Sequence, residues 1–99
     1  MPDDPADDAS VLRRTLVITN KRGLHARAAA KFVTLAERFG ASIEVEKDGQ
    51  SVSALSIMGL MMLGAGKGAT IALRADGPDA HEAMEALSAL VESGFHEQD

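Results

Sequence analysis

The dipeptide Asp48-Gly49 narrows the folds open to this chain more than any other feature. A two-residue type I′ hairpin turn needs positive φ at both central residues, and Asp-Gly meets that need. Folding the chain at this pair sets Lys47 against Gln50, Val45 against Val52 and Ile43 against Ala54. The apolar pairs then share one face without adjustment, so the pattern predicts antiparallel strands near residues 42–47 and 50–54.

The flanking segments can be placed around that hairpin. Leu-Arg-Arg-Thr-Leu-Val-Ile-Thr, from Leu12 to Thr19, predicts a strand with Leu12, Leu16 and Ile18 on one face. Ala29, Phe32, Val33 and Ala36 recur at i, i+3, i+4 and i+7, which predicts a helix from Ala26 to Phe39 with Gly40 as its stop. Ser56 is a good N-cap for a short helix starting at Ile57, and Gly64, Gly66 and Gly68 end that helix in a loop. A last strand runs from Thr70 to Ala75. Gly77-Pro78-Asp79 then opens a final helix, Pro suiting a first turn and Asp the positive end. Ala80, Ala83, Met84, Leu87, Leu90 and Val91 form the inner stripe of that helix. The order is β-α-β-β-α-β-α. Its simplest closed form is an α+β open-faced sandwich: a four-stranded antiparallel sheet with three helices on one face. Residues 1–10 are acidic and Pro-containing and read as a disordered tail, which leaves one domain over residues 11–95.

Composition then excludes several function classes. With 99 residues there is room for one small domain. Three Phe and no Trp or Tyr leave an aliphatic, Met and Ala core, with little space for a deep pocket or a large organic cofactor. The absence of Cys removes disulfides, thiolate metal sites and Cys nucleophiles together. No His and carboxylate pair has a metal-ligand spacing, and His81 and His96 read as exposed bystanders. No apolar stretch approaches the roughly 20 residues of a membrane span, and the acidic start is unlike a secretory signal. These features point to a cytoplasmic protein without membrane insertion. A net charge of −5 and the lack of stacking aromatics argue against a nucleic-acid partner.

The segment Gly23-Leu24-His25-Ala26-Arg27-Ala28-Ala29-Ala30 carries the chemistry. His25 falls where a helix begins. The first backbone N–H groups of a helix lack internal acceptors, and the helix dipole adds partial positive charge. Such an end receives phosphate readily. A phosphoryl group on the His25 imidazole would therefore meet donors already in place, and Arg27 in the same turn could add a charge-assisted contact.

Gly23-Leu24-His25-Ala26-Arg27 and its Ala-rich helix resemble the active-site motif of the HPr family, the histidine-containing phosphocarriers of the bacterial phosphoenolpyruvate-dependent phosphotransferase system. Ser56-Ile57-Met58-Gly59-Leu60-Met61-Met62-Leu63-Gly64 resembles that family's regulatory serine region, and the likeness runs from Leu12 to Ser93. The resemblance implies that His25 takes a phosphoryl group on Nδ1 from phosphorylated Enzyme I, with phosphoenolpyruvate as the source. It implies onward transfer to a histidine of an Enzyme IIA protein, with Arg27 steadying the group. It also implies a monomeric phosphocarrier that holds no cofactor or metal and is not a free-standing enzyme. One position departs from the family pattern: Ala28 stands where the family usually has Pro. Ala is an excellent helix former, so the helix is expected to survive with one additional backbone donor.

Ser56 has two expected roles. It caps its helix, and by the same resemblance it is a site for HPr kinase/phosphorylase, as in part of the family. The short helix is apolar almost all round, so one face can pack while Ile57, Met58 and Met61 remain for partner docking beside His25. A rival reading keeps the fold and docking surface but makes the chain a non-relaying regulatory module. The intact His25 argues against it.

Overall fold

A computed structural model describes residues 11–97; the tail expected over residues 1–10 lies outside the described residues. Seven principal elements follow one another: β1 (Val11–Val17), α1 (Ala26–Ala36), β2 (Ser42–Lys47), β3 (Gln50–Ser53), α2 (Ile57–Met62), β4 (Thr70–Asp76) and α3 (Ala80–Glu92), with a short turn at Gly94–His96. The strands form one antiparallel sheet in the order β1-β4-β2-β3. This is the α+β open-faced sandwich expected from the sequence pattern.

The hairpin register is as expected. Lys47 pairs with Gln50 and Val45 with Val52, while Asp48 and Gly49 take φ of 52° and 82°, as a type I′ turn demands. Alternation along the two central strands puts Ile43 and Val45 of β2 and Ile71, Leu73 and Ala75 of β4 into the core. The stripe of α1 covers them with Ala29, Phe32, Val33 and Ala36, and that of α3 with Ala83, Met84, Leu87, Leu90 and Val91. Thr15, Val17, Glu46, Ser51 and Ser53 of the sheet are exposed.

Several element bounds shift by one to three residues from expectation, and two helix ends show what the local hydrogen bonds do instead. Helix α1 ends at Ala36, because the N–H groups of Arg38 and Phe39 turn to the carbonyls of Leu35 and Ala36 at 3.1 and 3.2 Å. This tightened exit still leads to Gly40. Asp79 does stand at the start of α3, but its side chain does not cap that helix. Its carboxylate accepts from the backbone N–H groups of Gly40 and Ala41, both at 2.8 Å, and so ties the α1–β2 connection to the start of α3.

Candidate functional site

Residues 18–25 set His25 at the mouth of α1. Ile18, fully buried, exchanges backbone bonds with the β4 approach: its N–H donates to Ala69 at 2.9 Å and its carbonyl accepts from Gly68 at 2.8 Å. The chain then turns at Asn20. Gly23 N–H donates to the Asn20 carbonyl at 3.2 Å, and the Asn20 side-chain amide returns a bond to the Gly23 carbonyl at 2.9 Å. Leu24 N–H donates to the Ala65 carbonyl at 2.9 Å, which stitches this turn to the loop after α2. Gly23 cannot be replaced here without a shift. Its φ is +66°, and a Cβ would sit 2.4 Å from the Ala65 carbonyl oxygen.

His25 occupies the N-cap position of α1 in extended backbone, and its side chain makes no capping bond. The first bond of the helix runs from Ala29 N–H to the His25 carbonyl at 2.8 Å. The amides of Ala26, Arg27 and Ala28 therefore have no intrahelical acceptor. The helix begins at Ala26 with Ala28 fully buried in its first turn, so Ala serves where the family usually has Pro. Beside the imidazole lies a small cleft of about 250 Å³ lined by Arg22, Leu24, His25, Gly64, Ala65 and Gly66.

The imidazole is tied from one side. Nε2 of His25 is hydrogen-bonded to the Glu97 carboxylate, and the other carboxylate oxygen accepts from the Asn20 side-chain amide at 3.0 Å. Only 15% of the His25 side chain and 13% of the Glu97 side chain are exposed, so the pair is largely shielded from competing water. The hydrogen bond from His25 is the chief reason that the Glu97 carboxyl lies below the usual carboxylate range; burial opposes that shift, while the Asn20 bond and the charges of His25 and Arg22 assist it.

Glu97 lies two residues beyond the domain span expected from sequence, and nothing in its surroundings in the chain advertised it. It arrives through an unusual turn: Gly94, Phe95 and His96 all take left-handed backbone, with φ of 68°, 59° and 59°. For Phe and His that conformation is costly. Burial of the Phe95 ring at 0% exposure and a 2.6 Å bond from Lys31 Nζ to the Phe95 carbonyl hold it in place.

The other sequence-predicted residues are spread around this cluster. Arg27 is exposed and makes no hydrogen bond or ion pair among the described residues. It lines a groove of about 530 Å³ on the outer side of α1 with Lys31, Arg38 and His96, over a floor that includes Leu35 and Leu90. His81 and His96 are exposed, and His81 sits 4.0 Å from Glu85. Ser56 caps α2: its Oγ accepts from Gly59 N–H at 2.9 Å. Leu60 is the fully buried anchor of α2, whereas Ile57, Met58, Met61 and Met62 are exposed. Helix α2 packs against α1, and the loop that follows it lines the same cleft as His25. Among the described residues no cluster of three or more His, Asp or Glu could hold a metal ion, and no helix is long and apolar enough to cross a membrane.

Comparison with known proteins agrees with this geometry. Residues 12–93 match the family model described as the PTS HPr component phosphorylation site. The phosphocarrier protein HPr of Cupriavidus necator is 51% identical, over 88% of this chain and 98% of its own. The phosphocarrier protein NPr of Shewanella violacea is 46% identical, over 87% and 94%. The crystal structure of an HPr from Thermoanaerobacter tengcongensis superposes with a TM-score of 0.85 at 49% identity, covering 89% of this chain and 99% of that one. A phosphocarrier hands a group on and is not a free-standing enzyme. The open helix start beside a tethered histidine, the sheet order and these matches together make the chain a member of the HPr family, the phosphocarrier proteins of the phosphotransferase system.

Proposed function

We propose that this chain carries the phosphoryl group on Nδ1 of His25, accepting it from phosphorylated Enzyme I and passing it to Enzyme IIA proteins in the cytoplasm. One observation carries the reading. The His25 ring has Nε2 engaged by Glu97, at the start of a helix whose first three amides have no intrahelical acceptor. A neutral imidazole that donates from Nε2 keeps its lone pair on Nδ1, and the α1 N-terminus supplies the donors and field that suit the incoming anion. Arg27, exposed in that first turn, is free to close on the group during transfer.

The exposed Ile57, Met58 and Met61 form the docking face. Met side chains adapt to several partners, as a carrier between a donor and its acceptors requires. Ser56, at the root of that face, is the regulatory position for HPr kinase/phosphorylase. A phosphate there would add about −1.5 to −2 charge. Both sugar uptake and a nitrogen-type regulatory branch use this chemistry.

The test is incubation with Enzyme I and phosphoenolpyruvate, followed by intact mass and mapping of the label. One acid-labile phosphoryl group on His25, absent from His25→Ala, is the expected result. Label on His81 or His96, or none at all, defeats the reading. It would leave the non-relaying regulatory module in its place.

A further inference from the structure

The contact between Glu97 and His25 reaches across 72 residues of sequence. It depends on three consecutive left-handed residues, two of them not glycine. A segment that served only to finish α3 would have no need of such a turn. Strain held by a buried Phe95 and by Lys31 is a sign that the position of the following residue matters. Asn20 adds a second sign. It is 6% exposed, and its amide nitrogen is shared between the Gly23 carbonyl and Glu97. The orientation of the Glu97 carboxylate is therefore set by the same loop that places His25.

We propose that Glu97 is a positioning residue of the His25 site, one whose carboxylate holds the proton on Nε2, keeps Nδ1 as the nucleophile and balances the ring's charge while it is phosphorylated. This rests on the reading of His25 as the phosphoryl acceptor. During loading, the Nδ1 lone pair attacks phosphorus, and the donor's bond to phosphorus breaks with its electron pair staying on the donor. Nε2 keeps its proton throughout. The phosphorylated ring is then cationic at its Nε2–H edge, and the Glu97 carboxylate lies against that edge. During unloading, the electrons of the N–P bond return to Nδ1 and the neutral Nε2–H imidazole is recovered. No proton enters or leaves the ring in either direction, because Glu97 accepts a hydrogen bond and never the proton itself. A carboxylate that orients a histidine and fixes its tautomer acts in the same way in catalytic triads and behind metal-bound histidines.

Two substitutions separate this role from a merely structural one. Glu97→Ala removes the tether. Glu97→Gln keeps the size, but the Asn20 amide still donates toward position 97 and draws the Gln carbonyl oxygen to itself. The Gln NH₂ is left facing Nε2, where it favours a lone pair on Nε2 and a proton on Nδ1. The near-isosteric change is therefore the more damaging of the two. Two-bond ¹H–¹⁵N correlation spectra of the His25 ring, recorded without Enzyme I, read the tautomer directly. Phosphorylation by Enzyme I and phosphoenolpyruvate reads kcat and KM for the carrier, with a backbone amide spectrum as the folding control. The expected result is an Nε2–H ring in the unaltered protein, mixed tautomers in Glu97→Ala and an Nδ1–H ring in Glu97→Gln. With KM unchanged, kcat falls about tenfold in Glu97→Ala and further in Glu97→Gln. A Glu97→Gln protein with the unaltered tautomer and rate, or a Glu97→Ala protein with both unchanged, overturns the proposal. If His25 takes no label in the unaltered protein, the carrier reading fails by itself, and the tautomer spectra still decide the place of Glu97.

Discussion

Two helices in this molecule begin at a polar residue in extended backbone, and they treat that start in opposite ways. Ser56 uses its Oγ to accept the Gly59 N–H, so α2 satisfies part of its own N-terminus. His25 stands at the same position of α1 but its side chain accepts no capping bond; its ring is drawn aside to Glu97. The amides of Ala26, Arg27 and Ala28 are left for something else. Capping and anion binding compete for the same donors. A helix start is receptive to an incoming phosphoryl group to the extent that its own cap residue declines them.

The largest expected effect comes from exchanging the two solutions. His25→Ser installs a side chain able to cap α1. It should remove all labelling by Enzyme I, and against His25→Ala, which lacks the Glu97 contact equally, the new capping bond should add about 0.5–2 kcal/mol of stability. Urea unfolding and intact mass measure both. A His25→Ser protein that is inactive but no more stable than His25→Ala breaks the comparison, since it would mean the α1 start was already satisfied.

The next effect in size is on the other helix. Ser56→Asp should keep the fold, because Asp also caps well and suits the positive end of α2. It should slow loading of His25 several-fold at sub-saturating carrier, because docking must then desolvate a charge beside the exposed apolar side chains of Ile57, Met58 and Met61. Initial labelling rate is the measurement, with melting temperature as control. Equal rates for Ser56→Asp and the unaltered protein remove the regulatory role and leave Ser56 a cap. Ser56→Ala should transfer normally and lose about 1 kcal/mol.

The same contrast explains how much could be read from the sequence. Ser56 was legible as a cap because its partner, Gly59, is three residues away, and local hydrogen bonding leaves a local signature. The hairpin at Asp48-Gly49 and the buried stripe of α1 were legible for the same reason: turn chemistry and periodicity act over a few residues. His25 was legible partly through the pattern of its helix start and mostly through family resemblance. Glu97 was not, since its meaning depends on a contact spanning 72 residues. The place of Asp79 at the start of α3 was legible in the sequence, but the partners of its carboxylate were not, for a related reason. Asp at a helix start reads as a cap, but the backbone N–H groups of Gly40 and Ala41, folded against it from 38 and 39 residues away, take its carboxylate instead.

The smallest expected effect probes the His25 side of the comparison through its tether. Glu97 owes its lowered carboxyl value chiefly to the His25 hydrogen bond, with Asn20 and Arg22 assisting and burial opposing. In His25→Ala that first cause is gone, so the Glu97 midpoint should move upward, toward the ordinary 4.5. The sign for stability follows from linkage. A carboxyl whose folded value is depressed stabilises the fold above its unfolded value, and the contribution disappears as pH falls through the depressed one. The unaltered protein should therefore lose stability across the acid side of 4.5 as the Glu97 contact is protonated away, and His25→Ala should show a shallower loss over the same interval. Carboxyl ¹³C titration of Glu97 gives the midpoint, and urea unfolding at a series of acid pH values gives the slope. The same Glu97 midpoint in both proteins would mean that the imidazole does not hold the carboxylate in solution. His25 would then be as free of its chain end as Ser56 is bound to its own helix.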